Sequence, residues 1–167
     1  MFKLRAVTVF VAAFISLLTI PASQVGAALR FQFDFGSGPA ATGWTKVLPN
    51  TTYSQDLGYG FEPGASLSVV ERAGNFSQLN DFVTSARPFL FSVALPDGNY
   101  RVTVMLGDAA GASTNTIKAE SRRLMLENVV TAPGKFATRS FTVNIRTPII
   151  SSGGAVKLKD REKDYLH

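Results

Sequence analysis

Apolar residues recur at every second position along most of this chain, and that spacing constrains its fold more than any other feature. Phe31, Phe33 and Phe35 alternate with Gln32 and Asp34. Phe89, Phe91, Val93 and Leu95 alternate with Leu90, Ser92 and Ala94. Tyr100, Val102, Val104 and Leu106 alternate with Arg101, Thr103 and Met105, and Phe141, Val143 and Ile145 with Thr142, Asn144 and Arg146. A period of two sends one set of side chains to one face of a strand and the other set to the opposite face. Beyond the N-terminal region, no window longer than about ten residues carries the 3.6-residue apolar stripe of a helix. Shorter extended runs lie at 67–70, 116–120, 124–129 and 156–159, while 37–66 reads as long Gly-, Pro-, Thr-, Ser- and Tyr-rich loops. Turn chemistry stands between the runs, at Gly36 and Gly38 before Pro39, at Pro96-Asp97-Gly98-Asn99, and at Pro133-Gly134. The pattern predicts an all-β, antiparallel β-sandwich. It also predicts a hairpin that pairs 89–95 with 100–106 around Pro-Asp-Gly-Asn.

The first residues follow a different logic. Lys3 and Arg5 precede an apolar run from Ala6 to Ile20, Pro21 ends it, and Val25-Gly26-Ala27 supplies small residues before Ala28. Positive start, apolar middle and Ala-type cut site are the parts of an export leader. This predominantly apolar run of 15 residues is short for a membrane-spanning helix, which needs about 20. The expectation is a signal peptide at 1–27, cleavage after Ala27, and a single domain at 28–167. The product would be secreted, to the periplasm or the medium, with no membrane contact once the leader is gone. Cleavage there also removes Lys3 and Arg5, so 15 basic groups face 12 acidic ones and the net charge falls from +5 to +3.

Composition then excludes whole classes of function. There is no cysteine, hence no disulfide framework and no thiolate nucleophile. The one histidine is the last residue, His167, which argues against a Ser-His-Asp triad or a multi-histidine metal site. No basic cluster interleaved with stacking aromatics marks a nucleic-acid face. At 46% hydrophobic and 17% charged, the chain forms a core rather than a disordered tail. Leu106-Gly107-Asp108-Ala109 has Ala where a Gly-Asp-Ser block has its nucleophile, so Asp108 reads as a capping residue at a strand end. No Ser sits in a Gly-x-Ser-x-Gly elbow. The carboxylates Asp34, Glu62, Asp108 and Glu120 are scattered, and nothing in the sequence sets two of them face to face. No catalytic residue is assigned, and the chain by itself is not expected to be an enzyme.

Candidate binding residues remain. Trp44, Tyr53, Tyr59 and Phe61 lie in the loop-rich stretch, where sugar stacking would place aromatics; plugging the ends of a sandwich is the competing use. Lys118-Ala119-Glu120-Ser121-Arg122-Arg123 is the densest polar block. It has three readings: a solvated face with weak cross-strand ion pairs, an Arg-lined surface for uronate carboxylates, or an interface with another domain. Asp34 and Asp108 are candidate polar or calcium partners, since calcium takes carboxylate and carbonyl oxygens; no other cofactor is suggested.

Eight blocks, in order from position 31 to 162, resemble a known family. They are Phe33-Asp34-Phe35-Gly36, Gly58-Tyr59-Gly60-Phe61-Glu62, Phe89-Leu90-Phe91-Ser92-Val93, Leu95-Pro96-Asp97-Gly98-Asn99-Tyr100-Arg101-Val102-Thr103-Val104 and Leu106-Gly107-Asp108. Lys118-Ala119-Glu120-Ser121-Arg122-Arg123-Leu124, Phe141-Thr142-Val143-Asn144-Ile145-Arg146 and Leu158-Lys159-Asp160-Arg161-Glu162 complete them. Together they resemble the galactose-binding-like domain placed ahead of SGNH esterases of the rhamnogalacturonan acetylesterase type and found with agarase-type enzymes. The resemblance implies a galactose-binding-like jelly roll, here without its final strand, and a catalytic esterase domain that this chain lacks. Three roles follow. A carbohydrate-recognition module would hold plant cell-wall polysaccharide of the pectin kind through Trp44, Tyr59, Arg123, Asp34 and Asp108. A structural module would instead pack on the esterase domain through Lys118, Glu120, Arg122, Lys159 and Arg161. An enzyme in its own right is the third, and the residue inventory opposes it.

Overall fold

The computed structural model describes residues 2–7, 14–19, 29–73, 79–120, 123–146, 149–150 and 154–155. In chain order the strands are β1 (Phe2–Val7), β2 (Phe14–Thr19), β3 (Arg30–Phe35), β4 (Thr45–Val47), β5 (Tyr59–Phe61), β6 (Ser68–Glu71) and β7 (Asp81–Thr84). They continue with β8 (Phe89–Val93), β9 (Gly98–Asp108), β10 (Ser113–Ala119), β11 (Arg123–Thr131), β12 (Lys135–Ile145), β13 (Ile149–Ile150) and β14 (Gly154–Ala155). Two five-stranded sheets form from them, ordered β11-β10-β1-β8-β5 and β12-β9-β2-β3-β4. Pairing within both is antiparallel except between β3 and β4, which run parallel. β6 and β7 form a separate two-stranded ribbon, as do β13 and β14.

The period-2 alternation becomes the core. Phe33, Phe35, Phe61, Phe91, Val93, Tyr100, Val102, Val104, Leu106, Ile117, Val143 and Ile145 are all buried. Rings from the two sheets meet across the gap. Phe91 of β8 stands edge-on to Phe33 at 5.2 Å and to Phe35 at 4.8 Å, and touches Phe61 of its own sheet at 5.3 Å. Edge-to-face contacts of this kind add about 0.5–1.5 kcal/mol each to the burial of the rings. The expected all-β sandwich is therefore the fold. The run expected at 156–159 lies outside the described residues.

One expectation is corrected. β8 and β9 do not pair as a hairpin: β8 lies in one sheet between β1 and β5, and β9 in the other between β2 and β12. Residues 94–97 arch from sheet to sheet. A two-stranded ribbon would leave one face of both strands wet, whereas the arch lets Phe91 and Val102 bury theirs in one shared core. Hairpins form elsewhere, as between β10 and β11 and between β6 and β7.

Two strands come from the stretch with leader character. β1 fits between β8 and β10, with Leu4 opposite Phe91 on one side and Ala119 on the other. β2 fits between β3 and β9, with Leu17 opposite Phe31 and Val102.

The arch is tied by Tyr100. Its ring is 1% exposed, and its hydroxyl donates to the carbonyl of Pro96 at 2.8 Å. Tyr100→Phe removes only that bond. It should cost about 1 kcal/mol, seen as a fall of a few degrees in the thermal midpoint with the circular-dichroism spectrum unchanged.

Candidate functional site

Two polar regions flank strand β3. The first is the outer face of its sheet. Phe31, Phe33 and Phe35 turn toward the core, so Gln32 and Asp34 must point outward. Gln32 shares its row with Thr103 of β9 through position 16 of β2, and Thr103 shares its own with Ser140 of β12. The Thr103 and Ser140 hydroxyls are 2.8 Å apart. At the sheet's edge Trp44, just ahead of β4, lies half-buried beside Gln32. With its amide turned to satisfy both donors, Gln32 accepts from the indole Nε1 of Trp44 at 3.2 Å and from the guanidinium of Arg30 at 3.1 Å. Arg30 and Arg101 are exposed in the next row, both opposite position 18. An indole edge-bonded to an amide, next to hydroxyls and guanidinium groups, offers an apolar ring face together with donors for hydroxyl or carboxylate oxygens.

The second region is the end of the sandwich where β3 and β9 finish, and the β6–β7 ribbon covers it. Asp34 is only 5% exposed and Asp81 of β7 only 6%. Asp81 accepts from the backbone N–H of Gly38. It also packs so closely on Gly36 that a Cβ there would lie 2.1 Å from its Oδ2, so any larger residue would have to displace the Asp81 carboxylate. Burial first, and the Asp81 charge second, raise the Asp34 pKa from 3.8 to about 6; Lys46, in register with Asp34, pulls the other way. Nearby, Arg72 just past β6 binds Asp108 at the end of β9 in a two-pronged ion pair, Nε to Oδ1 at 2.8 Å and NH2 to Oδ2 at 2.7 Å. The Asp108 carboxylate is fully buried, and its Oδ1 also accepts from the N–H of Ala110 at 2.9 Å. The hydrogen bond from Arg72, more than any other influence, holds the Asp108 carboxyl below the usual carboxylate range. The Arg72 guanidinium also lies over the Phe82 ring at 5.9 Å.

The residues singled out in the sequence are thus dispersed. Trp44 and Asp34 share the β3–β4 strand pair, and Asp108 lies at the end of the sandwich where Asp34 does. Asp108 caps the chain turn as expected, but its ion pair leaves it little capacity for a ligand. Tyr59 lies 5.1 Å from Phe33, half-buried against the core. Arg123 sits on β11, the edge strand of the other sheet, with its guanidinium 3.6 Å from Glu120 and largely exposed. Glu120 also accepts from the Asn144 N–H of β12 at 2.9 Å, which ties the two sheets along that side. Lys118 is half-buried on β10. Arg122, Lys159 and Arg161 lie outside the described residues. Among the described residues no group of three or more His, Cys, Asp or Glu is placed to hold a metal ion. Arg30, Gln32, Arg72 and Asp81 were not signalled by any motif. The only trace of Gln32 and Arg30 was strand parity, which sets both on the face away from the phenylalanines.

Two facing sheets, an aromatic core and a polar outer face with an aromatic at its edge define a β-sandwich of the galactose-binding-like class. Residues 31–150 match the family model described as beta-agarase/YXIM esterase-like, galactose-binding domain-like, and the chain belongs to that family. It is 35% identical over 88 residues to the uncharacterized esterase YxiM of Bacillus subtilis (strain 168), covering 50% of this chain and 23% of that protein. It is 28% identical over 121 residues to beta-agarase A of Zobellia galactanivorans, covering 71% of this chain and 22% of that protein. The chain therefore spans less than a quarter of the length of either relative. No solved structure matches it significantly.

Two outcomes follow from the covered end. Below about pH 4 Asp34 is protonated in both folded and unfolded chains. Between pH 4 and 6 only the folded chain keeps the proton, so stability falls as pH rises through that window. The loss from this group should be roughly 2 kcal/mol. Urea midpoints of wild type and Asp34→Asn across pH 4–7 check it: the variant should gain on wild type as pH rises. Asp108→Ala leaves the Arg72 guanidinium and the Ala110 N–H without their acceptor, and should cost about 2 kcal/mol or more in the same urea assay at pH 7.

Proposed function

We propose that this chain is the exported, non-catalytic carbohydrate-recognition module of a larger polysaccharide-active enzyme of the esterase kind. Membership of a family shared by an esterase and an agarase supports a carbohydrate-related accessory role. The observation that carries the recognition role is the cluster at the edge of the second sheet, where Trp44 and Arg30 both donate to Gln32 beside exposed Arg101. A sugar ring stacks its C–H face on an indole, while its hydroxyls take amide and guanidinium hydrogen bonds. Two exposed arginines in one row favour a polymer bearing carboxylates, such as a uronate-containing pectin-like chain, because guanidinium binds carboxylate through two parallel bonds. Residues 1–27 serve as the export leader, and the enzyme acts outside the cytoplasm.

A second role has its own observation. Leu124 and Val130 on β11 are 47% and 68% exposed, and both stand on the outer face of the first sheet, opposite Lys118 and Thr114. Two bare aliphatic side chains beside the Lys118–Glu120–Arg123 group suit a contact with the esterase domain.

Affinity electrophoresis of the exported protein in gels containing rhamnogalacturonan, pectin, galactan or agarose separates the two. Retardation by an acidic polymer should drop at least tenfold in Trp44→Ala, with Arg101→Ala lowering it further and high salt weakening it. A folded protein retarded by none of these gels would favour the packing role.

A further inference from the structure

Two buried carboxylates share a small space at the covered end of the sandwich. Asp34 of β3 is 5% exposed and Asp81 of β7 is 6% exposed. Asp34 points to the outer face of β3, and Gly36 and Gly38 follow it on the same side. The Asp81 carboxylate is seated over both glycines. A Cβ at Gly36 would stand 2.1 Å from its Oδ2 and 2.9 Å from its Oδ1, and one at Gly38 would stand 3.1 Å and 3.4 Å away. Asp81 accepts from the Gly38 N–H through Oδ2, and its charge acts on Asp34. Glu71, which pairs with Asp81 across the ribbon, accepts from the Ser37 hydroxyl on the exposed side.

The positive charge nearby does not match them. Lys46 lies in register with Asp34, but its Nζ donates to the Ser37 carbonyl at 2.7 Å. Arg72, which follows Glu71, is committed to both oxygens of Asp108. Among the described residues no hydrogen-bond donor reaches the Asp34 carboxylate. A buried carboxylate without donors or a paired cation is costly in its charged form. A proton relieves that cost in acid. Near neutrality Asp34 has given its proton up, and two like charges stand together in a space closed to bulk water. The groups around them are oxygens, with no imidazole or thiolate, and such a set suits calcium or magnesium rather than a transition metal. Calcium needs only a few carboxylates, because backbone carbonyls and water complete its shell in irregular geometry; magnesium demands a near-octahedral one.

We propose that Asp34 and Asp81 together bind a calcium ion between the end of β3 and the β6–β7 ribbon, with Lys46 as the charge the ion competes against. The ion clamps the ribbon to the second sheet, beside the Arg72–Asp108 pair that ties the same ribbon to β9. The inference is independent of sugar recognition. Every residue it uses lies beyond position 27, so a chain with or without its leader carries them.

Titration calorimetry and thermal melts of the full chain test this, after treatment with a chelator, at about pH 7.5 and constant ionic strength, where both carboxylates are ionised. Calcium chloride should bind at a single site with a dissociation constant of about 0.1–1 mM, the range of extracellular modules. The thermal midpoint should rise by a few degrees in about 10 mM calcium. Magnesium chloride should bind about tenfold more weakly. Asp34→Asn removes the repulsion together with the ligand, so this variant stays folded and loses the calcium response. Lys46→Gln removes the competing charge and should tighten calcium about threefold, which a merely structural lysine would not do. Lowering the pH to about 5 should weaken binding, because the proton and the ion compete for Asp34. A wild-type chain whose heat signal and midpoint ignore calcium overturns the proposal. So does a calcium shift that persists in Asp34→Asn, or one that magnesium matches at the same ionic strength, since either marks general screening instead of a site.

Discussion

Everything in this molecule depends on the meeting of aromatic rings between two sheets. Phe91 from one sheet is wedged among Phe33 and Phe35 of the other and Phe61 beside it. A sheet buries only one of its faces, so each sheet is stable only against its partner. Truncating a fully buried phenylalanine typically costs about 3–5 kcal/mol, a large part of the stability of a domain this size. Because the inner faces are committed in this way, the outer faces are free to be polar. That freedom is what allows Gln32, Arg30 and Trp44 to meet at the edge of one sheet.

The covered end of the sandwich balances opposite electrostatic demands. Asp108 is buried with a guanidinium and stays charged, so its contribution is lost only when acid protonates it. Asp34 is buried near a second carboxylate and gains from holding its proton. One group favours higher pH and the other lower, so the two contributions from this end of the domain coincide best at about pH 4. The β6–β7 ribbon is what makes both sites possible: it delivers Arg72 to Asp108 and Asp81 to the neighbourhood of Asp34. Neither partner is near in sequence.

Strand positions were legible because alternation is a local property. The runs at Phe31–Phe35, Phe89–Val93 and Phe141–Ile145 each state their own inner face without reference to any other strand. Pairing was not legible in the same way. Residues 89–95 and 100–106 looked like a hairpin because turn chemistry between two alternating runs is shared by hairpins and sheet-to-sheet arches. Which of the two forms depends on whether Phe91 has a ring to meet across the gap. The candidate site was legible only in part. Trp44 and Asp34 stood out by residue type, whereas Gln32 and Arg30 carry no motif and acquire meaning only from a neighbouring strand. Tyr59 looked like a loop aromatic, yet Phe33 holds it against the core.

By itself the sequence determined an all-β chain with phenylalanine-lined inner faces and turns at Pro-Asp-Gly-Asn and Pro-Gly. Those properties reside in single residues and in spacings of two, which need no distant partner. Tertiary structure alone decided which strands adjoin, which carboxylates are buried, and which polar side chains converge on Trp44. Such decisions belong to contacts between different strands, such as Gln32 with Trp44 or Arg72 with Asp108, and a one-dimensional pattern has no term for them.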